Sequence, residues 1–114
     1  MSTYETISAD ELAALLTSKE PVFLVDVRSA AETAQGVIER AHLLPLHLVP
    51  MNVDKFKGHS RVVIYCHSGA RSGQVCYFLA QRGIEGLFNL EGGILFWHMG
   101  GHPVLPVSKA TPLV

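Results

Sequence analysis

The sequence predicts an α/β domain with a mainly parallel central sheet covered by helices on both faces. Apolar and β-branched side chains dominate residues 21–27, where Asp26 is the exception, and fill residues 62–64 before Tyr65; this is the pattern of strands that are buried on both faces of a parallel sheet. Helical patterns that begin at capping sequences separate these runs. Because parallel strands need a crossover connection, this alternation favours a parallel sheet.

Three shorter segments complete the predicted sheet. In chain order, the predicted strands are residues 4–7, 21–27, 41–44, 62–65 and 86–90. Residues 4–7 are expected at an edge of the sheet. Residues 62–65 are predicted to form the central strand of the sheet, because Val62, Val63 and Ile64 are all apolar.

The predicted helices begin with two capping boxes. Ser8 and Glu11, and again Ser29 and Glu32, have the spacing in which each residue caps the other's backbone N–H. The first of these helices is expected to reach about residue 18 and the second to stop near Gly36. Three further helical segments are predicted at residues 46–56, where prolines make the helix irregular, at 72–83 and at 94–98.

Composition limits the classes of function. The chain has 114 residues, 48% of them hydrophobic and 17% charged, which suits one compact domain. Its net charge of −1 gives no electrostatic reason to expect nucleic acid or an anionic membrane as a partner. The two cysteines, Cys66 and Cys76, fall in a predicted loop and helix and do not form a disulfide framework.

The termini and the location of the protein are predicted from the same features. The first ten residues are polar and lack a signal-peptide pattern, and no apolar run approaches the length of a membrane span, so a cytoplasmic location is expected. Residues 1–104 are expected to form the domain. Residues 105–114, which include Pro106 and Pro112, are expected to be a C-terminal tail outside the core.

Three polar or glycine-rich segments each follow a predicted strand: Asp26-Val27-Arg28, Cys66 with the residues after it, and Glu91-Gly92-Gly93. The carboxyl ends of parallel strands meet at one edge of the sheet, and ligands bind there in such folds. These segments are therefore expected to lie together and to form the functional site, with the glycines allowing positive φ or close backbone approach.

The loop that starts at Cys66 carries the chemistry. A strand that ends in a short loop and leads into a helix aims several backbone N–H groups at one point, which attracts anions. Cys66 lies at the edge of this cradle, where its thiol pKa should fall, and Arg71 adds a positive charge. The arrangement indicates nucleophilic chemistry on a substrate that carries negative charge.

The segment Cys66-His67-Ser68-Gly69-Ala70-Arg71-Ser72 resembles the active-site loop of the rhodanese (sulfurtransferase) family. Other matches, over roughly residues 4–104, are Asp26-Val27-Arg28, Gly36-Val37-Ile38 before Ala41, Leu90-Glu91-Gly92-Gly93, Trp97, Gly101 and Pro103. The chain departs from the common pattern of the family at Val37, where many members have His, and at Arg40, where many have Gly.

The resemblance implies a rhodanese-type sulfurtransferase of the thiosulfate:cyanide kind. Cys66 would accept a sulfane sulfur from thiosulfate, polysulfide or a persulfide donor and pass it to cyanide, a thiol or a sulfur-relay protein. Neither a metal nor an organic cofactor is implied. The loop residues that would bind the substrate are His67, Ser68, Gly69, Ala70, Arg71 and Ser72.

Two other functions are compatible with the same residues. Phosphatases and arsenate reductases of similar fold have one more residue between the cysteine and the arginine, so the four residues between Cys66 and Arg71 argue against them. A persulfide carrier or binding module that does not turn over small molecules would have the same loop, and the sequence leaves this alternative open.

Five residues near the loop are candidates for supporting or assisting roles. Asp26, Arg28 and Glu32 are expected to form an ion-pair network that supports the active edge. Cys76 is expected to pack in the core, the alternative being a resolving thiol for an oxidised Cys66. His67 either assists Cys66 or points to solvent.

Overall fold

The computed structural model describes residues 3–114, and it confirms the α/β architecture. The strands are β1 (Tyr4–Ile7), β2 (Phe23–Asp26), β3 (His42–Leu43), β4 (Val62–Tyr65), β5 (Leu87–Leu90) and β6 (Thr111–Pro112). The α-helices are α1 (Ala9–Thr17), α2 (Ala30–Thr33), α3 (Ala70–Gln81) and α4 (Gly93–Met99), and 3-10 helices span Leu46–Phe56 and Val107–Lys109.

The six strands form one sheet in the order β1-β5-β4-β2-β3-β6, and every strand pair is parallel. The central pair is β2 and β4, in which Val25 lies opposite Ile64 and all residues are buried. All strand carboxyl ends therefore point to the same edge of the sheet, as the sequence predicted.

The side chains of β4 divide between two hydrophobic clusters, because alternate residues of a strand point to opposite faces. Val62, Ile64 and Cys66 belong to the cluster that includes α3 and the first 3-10 helix. Val63 and Tyr65 belong to the cluster that includes α1 and α4. Helices thus cover both faces of the sheet, and none within residues 3–114 is both long and apolar enough to pass through a bilayer.

Both predicted capping boxes are present. The hydroxyl of Ser8 accepts a hydrogen bond from the Glu11 N–H, and the Glu11 carboxylate accepts one from the Ser8 N–H. Ser29 and Glu32 make the same reciprocal pair at the start of α2. The first 3-10 helix spans the predicted irregular segment, and it is interrupted at Asn52 shortly after Pro50.

The last ten residues, predicted as a C-terminal tail outside the core, lie against the sheet instead. Leu105 and Val37 exchange two backbone hydrogen bonds of 2.8 Å, and β6 pairs with β3 as an edge strand. Leu113 packs against the hydrophobic cluster beside α3. The physical reason is backbone pairing: a strand edge can be covered by a short segment whose side chains show no strand pattern, and proline is tolerated there.

Candidate active site

Cys66 directly follows β4, and its sulfur occupies the position of a helix cap. Gly69 is the N-cap residue of α3 and has no side chain to satisfy the first N–H groups of the helix. The Cys66 Sγ accepts hydrogen bonds from the N–H of Gly69 at 3.1 Å and from that of Ser72 at 3.4 Å. The thiol is therefore placed where the partial positive charge of the helix start stabilises an anion.

Burial and hydrogen bonding act in opposite directions on the Cys66 thiol. Burial works to raise its pKa, since only 1% of Cys66 is exposed. The Ser72 hydroxyl and the N–H groups of Ser72, Gly69 and Ser68 lower the pKa and outweigh burial, so the Cys66 pKa lies below that of an ordinary cysteine. The expected fall of the thiol pKa is thus supported by the geometry of the loop.

The backbone of the loop keeps unused donors. Among the described residues, the N–H groups of His67, Ala70 and Arg71 have no acceptor, although they lie in the loop after Cys66 and in the first turn of α3. The loop is shorter than the sequence predicted, because α3 begins at Ala70, two residues before the predicted start at Ser72. These unpaired N–H groups are available to donate to an anion.

The start of α4 fixes the loop from the other side. The N–H groups of Ile94 and Leu95 donate to the carbonyl oxygens of Cys66 and His67 at 3.0 Å each. Gly93 permits this approach, because a Cβ there would lie 2.5 Å from the Cys66 carbonyl oxygen and its φ is +58°. The predicted turn at residues 91–93 thus holds the backbone of the nucleophile.

Arg71 does not stand alone in the loop. Its guanidinium donates two hydrogen bonds of 2.7 Å to the carboxylate of Glu32, one to each oxygen. This interaction is the first cause that holds the pKa of Glu32 down to about 2. Glu32 therefore supports the active edge through Arg71, whereas the sequence placed its carboxylate in a network with Asp26 and Arg28.

Asp26 and Arg28 form a separate buried pair. The Arg28 Nη2 lies 2.7 Å from the Asp26 Oδ2, and Nη2 also donates to the Gly36 carbonyl oxygen at 2.7 Å. Its Nη1 donates to the backbone oxygen of Glu32 at 3.3 Å, which is the link between this pair and α2. Asp26 is wholly buried, and the pair anchors α2 and the segment after it to the sheet edge.

The remaining predicted residues take distinct positions. His67 is exposed and lines a cleft of about 440 Å³ together with Leu95 and His98. Cys76 is fully buried in the cluster beside α3, and burial raises its pKa to about 12. Within residues 3–114 no cluster of three or more potential metal ligands occurs.

One residue of the site was missed by the sequence analysis. Asn89 lies on β5, and its side-chain amide donates to the Gly69 carbonyl oxygen at 3.0 Å. Its Oδ1 accepts a hydrogen bond of 2.6 Å from the Ser72 hydroxyl. The sequence feature that could have indicated Asn89 is its polar amide, which lies in the otherwise largely apolar strand predicted at residues 86–90.

Known proteins resemble this chain over most of its length. The family model described as Rhodanese-like domain matches residues 8–99. A protein of Allochromatium vinosum named sulfurtransferase is 44% identical over 99 residues, which cover 87% of this chain and 92% of that protein. Because relatives carry the name sulfurtransferase, the comparison supports sulfurtransferase activity, in the general sense, for this chain.

Solved structures agree with the sequence comparison. The rhodanese-like domain protein of Staphylococcus aureus is 39% identical, with a TM-score of 0.76 and coverage of 82% of this chain and 90% of that one. The rhodanese-related protein of Thermoplasma volcanium is 26% identical, with a TM-score of 0.80 and coverage of 90% and 98%. The chain therefore belongs to the family of rhodanese-like domains.

Proposed function

We propose that the protein is a rhodanese-type sulfurtransferase that carries a sulfane sulfur as a persulfide on Cys66. The observation that carries the proposal is the position of the Cys66 sulfur at the start of α3, where it accepts hydrogen bonds from backbone N–H groups and where three further N–H groups, of His67, Ala70 and Arg71, have no acceptor. A thiolate is favoured there, and an anion attached to it meets donors already in place. No metal or organic cofactor takes part.

The reaction has two displacement steps. In the first, the Cys66 thiolate attacks the outer sulfur of thiosulfate, a sulfur–sulfur bond forms, and sulfite leaves with the electron pair of the broken bond. In the second, cyanide or a thiolate attacks the outer persulfide sulfur and Cys66 leaves as a thiolate. The N–H groups of the loop stabilise the negative outer sulfur between the two steps.

The Glu32 carboxylate bears on the choice of donor. Because it pairs with Arg71 at 2.7 Å, the one cation of the loop is largely compensated. Attraction for the thiosulfate dianion then rests on backbone N–H groups, and a donor that depends less on a cation, such as a protein persulfide or a polysulfide, competes well. The same observation favours the second candidate, a persulfide carrier that a partner protein loads and another empties.

Intact mass spectrometry tests the proposal. The reduced protein is incubated with thiosulfate or with polysulfide, and we expect the gain of one sulfur atom, which a thiol reductant removes. Cys66→Ser should gain none. Absence of any gain in the folded wild-type protein with both donors would refute the persulfide mechanism.

A turnover assay separates the candidates. Formation of thiocyanate from cyanide over many cycles indicates the sulfurtransferase, while loading without turnover indicates the carrier. Phosphate release from a small aryl phosphate should stay at background. Release of phosphate without thiocyanate would favour the phosphatase alternative instead.

A further inference from the structure

The side chain of Asn89 joins two groups that contact the Cys66 sulfur or its loop. The Gly69 carbonyl oxygen can only accept hydrogen bonds, so the NH₂ side of the Asn89 amide must face it, at 3.0 Å. This requirement leaves the Asn89 Oδ1 facing Ser72. At 2.6 Å from the Ser72 Oγ, the Asn89 Oδ1 is therefore a close acceptor for the hydroxyl proton of Ser72.

A helical glycine makes room for this amide. Gly73 lies inside α3, where glycine is among the least favourable residues. A Cβ at Gly73 would lie 3.2 Å from the Asn89 Nδ2, closer than an ordinary van der Waals contact. The absence of a side chain at residue 73 therefore permits the position of Asn89 that the two hydrogen bonds define.

The Ser72 hydroxyl has one proton and two neighbours that can accept it. The Cys66 Sγ lies 3.3 Å from the Ser72 Oγ, and the Asn89 Oδ1 lies 2.6 Å from the same atom. A hydroxyl donates one proton and offers lone pairs to other neighbours. Asn89 Oδ1 is the nearer of the two acceptors, so it weakens the hydrogen bond through which the Ser72 hydroxyl lowers the Cys66 pKa. When the proton lies toward Asn89, Ser72 presents only a lone pair to the sulfur.

We propose that Asn89 is a positioning residue that competes with the Cys66 thiolate for the hydroxyl proton of Ser72. This inference rests on the proposed role of Cys66 as the nucleophile. By weakening the hydrogen bond from the Ser72 hydroxyl, Asn89 leaves the thiolate more basic, and a more basic thiolate is the stronger nucleophile. The backbone N–H groups of Gly69 and Ser72 still donate to the sulfur, so the thiolate form of Cys66 remains populated near neutral pH.

The first test compares Asn89→Ala with the wild type. For both proteins, thiolate absorbance and the rate of alkylation by iodoacetamide are measured as functions of pH. With the competing acceptor removed, the Ser72 proton turns to the thiolate and the Cys66 pKa falls. We expect about tenfold more thiolate on the acidic side of the transition, and about threefold lower reactivity per thiolate. The two rate profiles should cross: the variant is about threefold faster at acidic pH and about threefold slower on the alkaline plateau.

A role in holding the loop alone predicts the opposite direction. Loss of the Gly69 contact would loosen the N–H donors around the sulfur and raise the Cys66 pKa, so the profiles would cross in the reverse sense, with the variant slower at acidic pH and faster on the alkaline plateau. Asn89→Asp keeps an acceptor for Ser72 but loses the donor to Gly69, so we expect slower alkylation at acidic pH from it. Shifts of the same direction in both variants would overturn the proposal.

A double-mutant cycle tests the route through Ser72. Comparison of Ser72→Ala with the double variant of Ser72→Ala and Asn89→Ala should show no crossing, because no hydroxyl proton is left to redirect. A crossing that persists in this background would overturn the proposal. Asn52→Ala, which removes an amide that donates to the Leu48 carbonyl oxygen away from the site, is the matched control and should keep the wild-type profile. None of these measurements needs a sulfur donor, so their failure is distinct from a failure of sulfur loading.

Discussion

The guanidinium of Arg71 and the carboxylate of Glu32 form two parallel hydrogen bonds of 2.7 Å between residues that lie 39 positions apart in the sequence. The pair ties the first turn of α3 to α2 at the rim of the cysteine loop. Paired charge-assisted hydrogen bonds of this geometry hold both side chains in one orientation. We therefore expect anion binding in the loop to depend more on backbone N–H groups than on a free cation.

Glu32→Gln tests the pair through the pH dependence of stability. The pKa of Glu32 is lowered to about 2, chiefly by Arg71, so ionised Glu32 stabilises the folded state above the pKa of an unfolded glutamate. That contribution is lost as the pH falls toward 2. Because Glu32 is one-third exposed, we expect wild type to exceed Glu32→Gln by about 1 kcal/mol near neutral pH, measured by urea unfolding.

The difference should shrink as the pH falls from the ordinary glutamate range toward 2. Glutamine can still serve in the capping box, so the substitution isolates the ion pair. Glu11→Gln is the matched control, since Glu11 occupies the same place in the capping box of α1 and has no cationic partner among the described residues. A difference that stays constant down to pH 2 would contradict the assignment.

Gly93→Ala tests the contact between α4 and the loop. A Cβ at Gly93 would overlap the carbonyl oxygens of Cys66 and His67, and both are backbone atoms that cannot move aside cheaply. We expect a loss of at least about 3 kcal/mol in the free energy of unfolding, or a displaced loop with greatly reduced sulfur loading. Thermal unfolding and intact mass after loading measure the two outcomes.

Gly58→Ala separates backbone strain from overlap. Gly58 also has a positive φ, of +80°, but no atom lies within 4 Å of the position of its Cβ. It should lose only about 1 kcal/mol, the cost of a side chain in the left-handed region. If Gly93→Ala and Gly58→Ala lose the same free energy of unfolding, the close approach of α4 to the loop adds nothing to the cost of the substitution at Gly93.

The sequence predicted the features that depend on local pattern. The strands β1 and β4 have the predicted bounds. For β4 the reason is that a run of apolar side chains determines where a buried strand begins and ends. Both capping boxes followed from a spacing of three residues. The position of Cys66 before a helix start followed from the order of strand, loop and helix.

The features that the sequence did not predict depend on pairings between distant residues. The partner of Glu32 is set by how α2 and α3 pack, and no spacing along the chain encodes it. Asn89 reaches Gly69 and Ser72 only because β5 lies beside β4. The pairing of β6 with β3 is likewise a backbone contact, which side-chain pattern does not reveal.

Arg40→Gly tests a strained position in the segment where the chain departs from the family pattern. Arg40 has a φ of +69°, in the left-handed region that favours glycine. Its side chain makes one long hydrogen bond, 3.3 Å from Nη1 to the Leu16 carbonyl oxygen. We expect Arg40→Gly to stabilise the protein by about 0.5 kcal/mol in chemical denaturation, since relief of strain exceeds the entropy gained by the unfolded chain.

Arg40→Ala is the control for the lost side chain, because it removes the contact to Leu16 and keeps the strain. It should be neutral or destabilising. If the glycine and alanine variants have the same stability, the positive φ is not a source of strain.

Cys76→Ser tests whether one cysteine is sufficient for sulfur transfer. Burial, and to a smaller extent the charge of Cys66, raises the pKa of Cys76 to about 12, so its thiol stays protonated and enclosed. Serine places a hydroxyl among apolar side chains, and we expect a loss of about 1–3 kcal/mol in stability with sulfur loading retained. Cys76→Ala, which adds no hydroxyl, distinguishes the cost of the polar group from that of the lost sulfur. Peptide mapping of the loaded protein should place the added sulfur on Cys66 in the wild type and in both variants. A label on Cys76, or a folded Cys76→Ala protein that cannot be loaded, would require a relay between the two thiols in place of a single nucleophile.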